Sequence, residues 1–277
     1  MKLLSFTVNG SERVGVLSDT GVVDLTTRLG IAQIADAFGR RSEVEALKGA
    51  RGDFHTNEIS YRPAVPNPQR IFCIGLNYRS HLEETGREAG AEPMVFTRFA
   101  SSQAGHLQPL IRPKVSNKFD FEGELAVIIG RDCRYVPQEK AWDVVGGYAC
   151  YNDGSIRDWQ KHTSQFIPGK NFPQTGGFGP WVVTPDEIDD ITQASLVTRL
   201  NGVEMQRAVI SDLVFDIPRL ISYCSAFSPL SKGDVIVTGT TGGIGAARNP
   251  PVWMKPGDTV EVEISGVGTL VNSIADE

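Results

Sequence analysis

Residues 120–130 read Asp-Phe-Glu-Gly-Glu-Leu-Ala-Val-Ile-Ile-Gly, and the rest of the chain is interpreted around this stretch. It joins closely spaced acids to an apolar run of strand length. Alternate residues of a strand point to the same face, so Glu122 and Glu124 would lie side by side at the mouth of a buried strand. Two carboxylates this close repel each other and burial adds to the cost, so a bound cation is the simplest way to stabilise them.

A second apolar run that ends in an acid covers residues 147–160, which read Gly-Tyr-Ala-Cys-Tyr-Asn-Asp-Gly-Ser-Ile-Arg-Asp-Trp-Gln. Asp153 ends this run and is the third candidate ligand. Asp120 would lie on the same face as the two glutamates, and the spacing alone does not choose between Asp120 and Asp153. Either set offers only oxygen ligands, which suits Mg²⁺, Mn²⁺ or Ca²⁺ and disfavours zinc. The competing interpretation is a solvated strand end with three exposed acids.

Composition excludes several classes of protein. The chain has 277 residues, a formal net charge of -6 and no basic run, which argues against nucleic acid or an anionic membrane as the main partner. No apolar run is long enough to span a bilayer, and the apolar core of the first ten residues is too short for a signal peptide. The four cysteines form no Cys-x-x-Cys motif, which argues against zinc and disulfides. We expect a soluble, cytoplasmic protein.

The order of predicted elements indicates an α+β protein that is mainly β. Asn9-Gly10 separates two alternating segments, which predicts an N-terminal hairpin, and helical periodicity follows over residues 31–38. Prolines punctuate the passage before residue 70, so we place a boundary near Val65. This division gives a small N-terminal domain of residues 1–65 and a larger domain of residues 66–277.

The larger domain is predicted to consist mainly of strands. Its apolar segments are separated by turns more often than by helices, which favours a mixed, mostly antiparallel sheet over a doubly wound α/β sheet. We expect helices at residues 77–84, 137–145 and 217–226, the last two with a proline in the first turn.

A histidine and an acid on one predicted helix suggest acid-base chemistry. His81 and Glu84 are three residues apart and would share a helix face. A carboxylate beside one imidazole nitrogen fixes the tautomer and leaves the other nitrogen free to take a proton from water. The alternative is an ordinary surface pair. The segment that follows, residues 85–93, is small and polar, and we expect it to be a lid that orders when ligand binds.

Polar side chains directly after Asp153 suggest an anionic substrate. Arg157, Gln160 and Lys170 are donors that could stabilise negative charge on an enolate or carboxylate, although the arginine and lysine could also be solvent-exposed. Farther along, residues 238–245 read Thr-Gly-Thr-Thr-Gly-Gly-Ile-Gly. This run lacks the Lys-Ser/Thr pair and the helix of a phosphate-binding loop, so we interpret it as a tight loop that lines a pocket.

Five motifs together resemble the fumarylacetoacetate hydrolase family, from about Arg70 to the C-terminus. They are Ile74-Gly-Leu-Asn-Tyr-Arg-Ser-His-Leu-Glu-Glu84, Phe121-Glu-Gly-Glu-Leu-Ala-Val127, the run of residues 147–160, Gly169-Lys-Asn-Phe172 and Gly233-Asp-Val-Ile-Val-Thr-Gly-Thr240. The resemblance implies a mixed β-roll of the fumarylacetoacetate hydrolase C-terminal type with a small N-terminal α+β domain. It also implies a homodimer.

The resemblance assigns the candidate metal ligands. In the family, the residues that match Glu122, Glu124 and Asp153 hold one divalent metal, usually Mg²⁺ or Mn²⁺, so it favours Asp153 over Asp120. We therefore expect Mg²⁺, with Mn²⁺ or Ca²⁺ as alternatives.

The resemblance also assigns residues around the metal. His81 and Glu84 match a pair that orders over the substrate and activates water. The positions that match substrate contacts are Arg157, Gln160, Lys170 and Thr240. Two residues depart from the family pattern: Thr241 replaces the usual proline, and Arg98 stands where many relatives have lysine. We expect these departures to change the pocket wall.

The expected activity is metal-dependent hydrolysis of a carbon-carbon bond in an acylpyruvate or related 2,4-dioxo acid, such as those formed when aromatic compounds are degraded. His81 and Glu84 would generate the attacking water, and Lys170 with Gln160 would stabilise the charge that develops. The same scaffold supports decarboxylation of an oxaloacetate-like acid, isomerisation and dehydration, and fold alone does not choose among them. A silent binding module for small dicarboxylates is the alternative from another class, and the intact His81-Glu84 pair argues against it.

Overall fold

Strands make up more of the chain than helices in the computed structural model, which describes residues 1–277. The strands are β1 (Lys2–Val8), β2 (Ser11–Ser18), β3 (Gly21–Asp24), β4 (Ser60–Tyr61), β5 (Ile71–Gly75), β6 (Met94–Thr97), β7 (Gln103–Ala104), β8 (Leu110–Arg112), β9 (Phe119–Asp120), β10 (Gly123–Ile129), β11 (Val145–Asn152), β12 (Ser155–Ile156), β13 (Gly176–Val183), β14 (Ser195–Leu200), β15 (Val203–Val209), β16 (Val235–Val237), β17 (Thr259–Ile264) and β18 (Gly268–Asp276).

Helices are short except for one near the C-terminal third of the chain. The α-helices are α1 (Leu25–Leu29), α2 (Ile34–Gly39), α3 (Arg41–Glu45), α4 (Arg79–Thr85), α5 (Arg157–Gln160), α6 (Ile167–Lys170) and α7 (Ile217–Phe227). The 3-10 helices are Ala100–Ser102, Gln138–Val144, Pro185–Glu187, Ile191–Gln193, Ile210–Asp212 and Gly245–Ala247. None of the helices has the length and apolar character needed to cross a bilayer.

Two sheets enclose the largest core. Eleven strands form one sheet in the order β3-β2-β1-β13-β11-β10-β16-β5-β6, with β4 paired to β1 and β7 to β13. Five strands form the other, in the order β15-β14-β17-β18-β8. Leu125 and Val127 of β10 belong to one buried cluster with Leu196 of β14, Ile264 of β17 and Leu220 of α7, which places the core between the sheets and this helix. The fold is therefore mixed and mainly β, as predicted.

The N-terminal segment continues the large sheet. The predicted hairpin is present, because Asn9 and Gly10 both have positive φ and join β1 to β2. β1 also pairs antiparallel with β13. Residues of the first segment, such as Leu3 and Ile34, share a buried cluster with Ala126 of β10. The boundary predicted near Val65 falls between β4 and β5 and stays a prediction about how the chain divides.

Two of the three helices predicted in the larger domain are α-helical. Residues 77–84 correspond to α4, and residues 217–226 correspond to α7, where the Asp216 side chain accepts a hydrogen bond from the Arg219 amide as an N-cap. The helix predicted over residues 137–145 is present as a 3-10 helix, Gln138–Val144. Its buried residues, Ala141 and Val144, are three apart, a spacing that a 3-10 helix stacks on one side.

Strand direction brings the candidate residues to one edge of the large sheet. β10 is antiparallel to both β11 and β16, and β16 is parallel to β5. The carboxyl ends of β5, β11 and β16 therefore meet the amino end of β10. The segments that leave this edge lead to α4, Asp153 and residues 238–246.

Candidate active site

Three buried carboxylates form an acid cluster at this edge. Glu122 directly precedes β10, Glu124 is the second residue of β10, and Asp153 directly follows β11. The Asp153 amide donates a 2.8 Å hydrogen bond to the carbonyl of Glu122, which holds the two chain segments together. One oxygen of each carboxylate lies within 4.8 Å of the others, so the three side chains could hold one metal ion.

Charge in the acid cluster is only partly compensated by the protein. Burial, and then the charges of Asp153 and Glu122, raise the pKa of Glu124 well above its usual value. Burial also opposes ionisation of Glu122, but the charges of Arg157 and Lys170 outweigh it and lower the pKa of Glu122 to about 2. A divalent cation would relieve the repulsion at Glu124, and the oxygen ligands fit Mg²⁺, Mn²⁺ or Ca²⁺.

Lys170 belongs to the same cluster of charges. Its side chain is buried, and its Nζ donates 2.6 Å hydrogen bonds to Oε2 of Glu122 and Oδ2 of Asp153. α6 supplies this lysine, and Gly169 before it packs so tightly that a Cβ would lie 2.3 Å from the amide nitrogen of Gln160. The structure thus brings Lys170 to the acids, as a charged contact inside the site.

Arg157 links the acid cluster to two other polar groups. Its Nε donates a 2.7 Å hydrogen bond to Oδ2 of Asp120, and its Nη1 donates a 3.0 Å bond to Oε1 of Gln160. Its Nη2 lies 2.7 Å from Oε1 of Glu122 as an ion pair without hydrogen-bond alignment. Two nitrogens of the guanidinium therefore donate hydrogen bonds to the protein, and the third is held by an ion pair alone.

Asp120 has a different environment from the acid cluster. Besides its contact with Arg157, it accepts hydrogen bonds from the amides of Gly245 and Ala246 at 2.8 and 3.0 Å. Burial raises its pKa, while the charge of Arg157 opposes this effect. The structure thus groups Asp153, and not Asp120, with the two glutamates.

Arg98, which the family resemblance placed at the pocket wall, contacts the acid cluster directly. Its buried Nη1 donates hydrogen bonds to Oδ1 of Asp153 at 2.6 Å and to the carbonyl of Gly154 at 2.9 Å. Its Nη2 donates to Oγ1 of Thr175 at 2.8 Å. Apart from the resemblance, the available signal was a single charged residue in the mostly apolar segment of residues 94–100.

His81 and Glu84 form the predicted pair on α4. Nδ1 of His81 lies 3.4 Å from Oε2 of Glu84, a long contact, and the imidazole is buried. The other carboxylate oxygen of Glu84 accepts a 2.9 Å hydrogen bond from the amide of Gly243. The loop that supplies this amide also donates the Gly239 amide to Glu124, so the pair and the acid cluster meet at one loop.

Residues 238–246, which we call the glycine loop, connect these parts. Amides of the loop donate to the carboxylates of Glu124, Glu84 and Asp120. The prediction of a tight loop at the pocket agrees with this arrangement. Amides of the loop bind anionic groups, as in a phosphate-binding loop, but these groups are carboxylates of the same chain.

Gln206 of β15 holds the glycine loop from the other side. Its Nε2 donates to Oγ1 of Thr240 at 2.8 Å and to the carbonyl of Thr241 at 2.9 Å, and its Oε1 accepts from the amide of Gly123 at 2.9 Å. Oγ1 of Thr240 in turn donates to the carbonyl of Gly123. Sequence reasoning missed this glutamine, because nothing local relates position 206 to positions 123 and 240.

Comparisons with known proteins agree with this architecture. The family model described as fumarylacetoacetate (FAA) hydrolase C-terminal matches residues 70–275. An oxaloacetate tautomerase of Bacillus subtilis is 38% identical over 225 residues, covering 80% of this chain and 75% of its own.

Two solved structures resemble the whole chain. The fumarylacetoacetate hydrolase of the psychrophile Exiguobacterium antarcticum has a TM-score of 0.88 and 31% identity, with 100% of both chains covered. The maleylpyruvate hydrolase of Sphingobium sp. SYK-6, solved with manganese(II) and pyruvate, has a TM-score of 0.83 and 28% identity, with 100% of this chain and 99% of its own covered.

Proposed function

Because this chain belongs to the fumarylacetoacetate hydrolase family, we propose that it is a divalent-metal-dependent hydrolase of small oxo acids. We infer that it cleaves a carbon-carbon bond in an acylpyruvate or related 2,4-dioxo acid. The observation that carries this proposal is the His81-Glu84 pair, which is docked on the glycine loop next to a buried acid cluster.

The charges of the site support a metal and an anionic substrate. The site holds one more buried carboxylate than buried cations: the acids are Asp120, Glu122, Glu124 and Asp153, and the cations are Arg98, Arg157 and Lys170. A divalent ion on Glu122, Glu124 and Asp153 would change the net charge of the site from negative to positive. The carboxylate of an oxo acid would then neutralise this positive charge. When bound, the metal would supply Lewis-acid chemistry by polarising the oxygens of the oxo acid.

In the proposed reaction, His81 acts as a general base. Glu84 holds Nδ1, so Nε2 is free to take a proton from water as the hydroxyl oxygen adds to the acyl carbonyl carbon. The bond between that carbon and its neighbour then breaks, and the electron pair leaves with the pyruvate part as an enolate. The proton held by His81 passes to this carbanion, which gives pyruvate and a carboxylic acid. The long Nδ1 to Oε2 contact would shorten when substrate closes the site.

Polar groups around the pair would stabilise the charge that develops. Lys170 and Gln160 are the proposed donors to the developing oxyanion and the departing enolate. Thr240 is proposed to contact substrate. Arg157 is also proposed to contact substrate, although its existing bonds suit it mainly to fixing Gln160 and Glu122 in place.

A second candidate is keto-enol tautomerisation of oxaloacetate, favoured by the identity to the tautomerase of Bacillus subtilis. In that reaction His81 would move a proton between the carbon next to the keto group and the enol oxygen. No water would be consumed and no carbon-carbon bond would break. Decarboxylation of the same acid would break such a bond and release carbon dioxide.

Substrate screening with active-site variants tests these alternatives. The purified protein with saturating Mg²⁺ is assayed for cleavage of acylpyruvates and for tautomerisation and decarboxylation of oxaloacetate, together with His81→Ala and Glu84→Gln. We expect acylpyruvate cleavage with a kcat that falls about 10²- to 10⁴-fold in His81→Ala and less in Glu84→Gln. The matched control is Glu83→Gln, because this exposed neighbour lies on the same helix.

Two results would refute the hydrolase proposal. One is near wild-type acylpyruvate cleavage by His81→Ala, and the other is turnover of oxaloacetate alone. We further propose that the protein is a homodimer, as the family resemblance implies. A mass of about one chain in light scattering at micromolar concentration would contradict this.

A further inference from the structure

Four apolar residues form a surface next to the most highly charged part of the interior. We call this surface the apolar wall; it consists of Met94, Phe96 and Phe166, which contact one another or Gly75, and of Ile167, the exposed neighbour of Phe166 in the chain. In the pairing of β5 with β6, Met94 lies opposite Gly75 and Phe96 lies opposite Cys73. Because paired residues and residues two apart share a face, these side chains project to the same side of the sheet.

The apolar wall touches the site at Lys170. Nζ of Lys170 lies 5.1 Å from the ring centroid of Phe96, within the range of a cation-π contact. The ring of Phe166 packs edge-on against Phe96, with centroids 5.7 Å apart. Since the same Nζ bonds to two acids of the cluster, the wall begins within one side chain of the proposed metal position.

The wall also adjoins the segment that carries the proposed base. A Cβ on Gly75 would lie 3.2 Å from Sδ of Met94 and 3.7 Å from Cε2 of Phe166, so the wall closes over this glycine. Gly75 ends β5, and four residues later α4 begins with His81 in its first turn. The wall therefore contacts Lys170 in space and adjoins the end of the strand that leads to α4.

Exposure shows that the wall is accessible. Met94 is 42% exposed and Ile167 is 38% exposed, while both phenylalanines are partly buried. Accessible apolar surface beside a charged site is a common feature of ligand pockets, where it contacts the apolar part of the ligand.

Each buried cation of the site is already paired with carboxylates of the chain. Arg98 is paired with Asp153, Arg157 with Asp120 and Glu122, and Lys170 with Glu122 and Asp153. We propose that the distal part of the substrate, beyond the oxo-acid group, is an apolar alkyl or aryl chain that packs on the apolar wall. This inference rests on the proposed function and narrows it to acylpyruvates with apolar acyl groups.

Binding of non-cleavable oxo acids tests the inference without requiring turnover. Calorimetry with saturating Mg²⁺ compares pyruvate, 2-oxohexanoate and 2-oxoglutarate, which has a carboxylate where 2-oxohexanoate has an ethyl group. Each methylene that is fully buried strengthens binding about fourfold, so partial burial of the chain predicts that 2-oxohexanoate binds on the order of tenfold tighter than pyruvate. 2-Oxoglutarate should lack this gain in affinity over pyruvate, because its chain ends in a carboxylate.

Met94→Lys is the variant that reports on the wall. Met94 lies at the exposed rim, so the substitution should not disturb folding, and it should lower the preference for 2-oxohexanoate and raise the affinity for 2-oxoglutarate. Met94→Leu is the matched control and should keep the wild-type order.

The outcomes separate this inference from the proposed function. If the three acids bind equally and Met94→Lys changes nothing, the wall inference is wrong while oxo-acid binding stands. If Met94→Lys instead changes the mass in light scattering and leaves the chain preference unchanged, the wall is covered by a second copy of the chain and the inference is again wrong. If no oxo acid binds in the presence of metal, the proposed function fails and the inference fails with it.

Discussion

Asp153 is the residue on which most of the charges in the site converge. Arg98 holds one of its oxygens and Lys170 holds the other, and all three side chains are buried. Removing one partner of a buried ion pair leaves an uncompensated charge, which costs about 3–5 kcal/mol. The geometry around Asp153 is therefore coupled to the stability of the whole chain.

We expect Arg98→Met to lower the free energy of unfolding by about 3 kcal/mol, because Lys170 still compensates part of the charge. Arg98→Lys, which places the residue of many relatives here, should cost less. Urea unfolding measures both. The matched control is Arg199→Met, which removes a half-exposed pair with Glu263 and should cost at most about 1 kcal/mol. Equal losses of unfolding free energy in the two methionine variants would show that the buried Arg98-Asp153 ion pair contributes no more stability than the half-exposed pair.

Metal affinity is the property expected to depend on Glu124. In Glu124→Gln the amide oxygen can still accept the hydrogen bond from Gly239, so the loop should keep its place while one anionic ligand is lost. Changes outside the ligand set reduce metal affinity about 10- to 100-fold, so loss of a ligand should exceed about 100-fold. Calorimetric titration with Mn²⁺ measures this, and an undiminished affinity would rule Glu124 out as a ligand.

For single residues, the sequence predicted the acids of the site better than it predicted the residues that contact them. Glu122 and Glu124 are two residues apart, so strand periodicity alone places them together. Asp153 required either the neighbouring strand or the family resemblance, because spacing did not separate it from Asp120. Arg98 and Gln206 contact the site across 55 and 83 residues of sequence, and no local pattern encodes such contacts.

Among the elements, α4 and the glycine loop form one docked unit. Oγ of Ser80 lies 2.9 Å from Oγ1 of Thr241 and accepts a 3.1 Å hydrogen bond from the amide of Gly242. Thr241 stands where the family resemblance leads one to expect proline, so relatives with proline lack this hydroxyl. The pair gives this chain an additional means of holding α4 close to the site.

A double-mutant cycle with Ser80→Ala and Thr241→Val tests this contact. A neutral hydrogen bond contributes about 1 kcal/mol, so we expect a coupling energy of that order in unfolding experiments. Hydrogen exchange in residues 79–87 should also become faster in each variant, because α4 loses an anchor. A coupling energy near zero would mean that the hydroxyls do not stabilise the docked helix.

Hydrogen exchange of the wild-type protein also tests the predicted lid, residues 85–93. Amide hydrogens in this segment that exchange slowly both with and without oxalate would contradict the lid.

Prediction of the elements succeeded where local signals decide the structure. The Asn9-Gly10 turn fixes the first hairpin, and Pro218 with the Asp216 cap fixes the start of α7. The proline at position 137 marks the start of the helix Gln138–Val144, whose buried residues Ala141 and Val144 are three apart, as suits its 3-10 geometry. Pairing of β5 with β16 joins residues more than 160 apart, so the sequence predicts both strands without predicting that they are neighbours.

For the molecule as a whole, His106 predicts how stability depends on pH. Burial lowers its pKa from 6.5 to about 4, and its Nδ1 accepts a hydrogen bond from the amide of Val271, which requires the neutral ring. A histidine whose folded pKa lies below its unfolded pKa stabilises the fold above pH 6.5. This contribution should be lost as the pH falls from 6.5 to about 4, and remain constant below that.

His106→Asn isolates this contribution, because the asparagine oxygen can accept the same hydrogen bond and does not titrate. Other acids titrate alike in both proteins, so the informative quantity is the difference between their unfolding free energies. Wild type should lose stability relative to the variant between pH 6.5 and about 4. Parallel pH profiles over this interval would show that the ring does not change its protonation preference on folding.

The order of residues along the chain has a consequence for synthesis on the ribosome. All three acids of the cluster have been made by residue 153, whereas β16, which pairs with β10, and the glycine loop, which donates to Glu124, occupy residues 235–246. At about 5–20 residues per second, translation needs roughly 5 to 20 seconds to cover that interval. During it the apolar β10 lacks a neighbour on one edge, so nascent chains should be at their most aggregation-prone then. A product that terminates between the two points would retain the charges of the site without the segments that bury them, and it should be degraded or aggregate instead of persisting as a partly active enzyme.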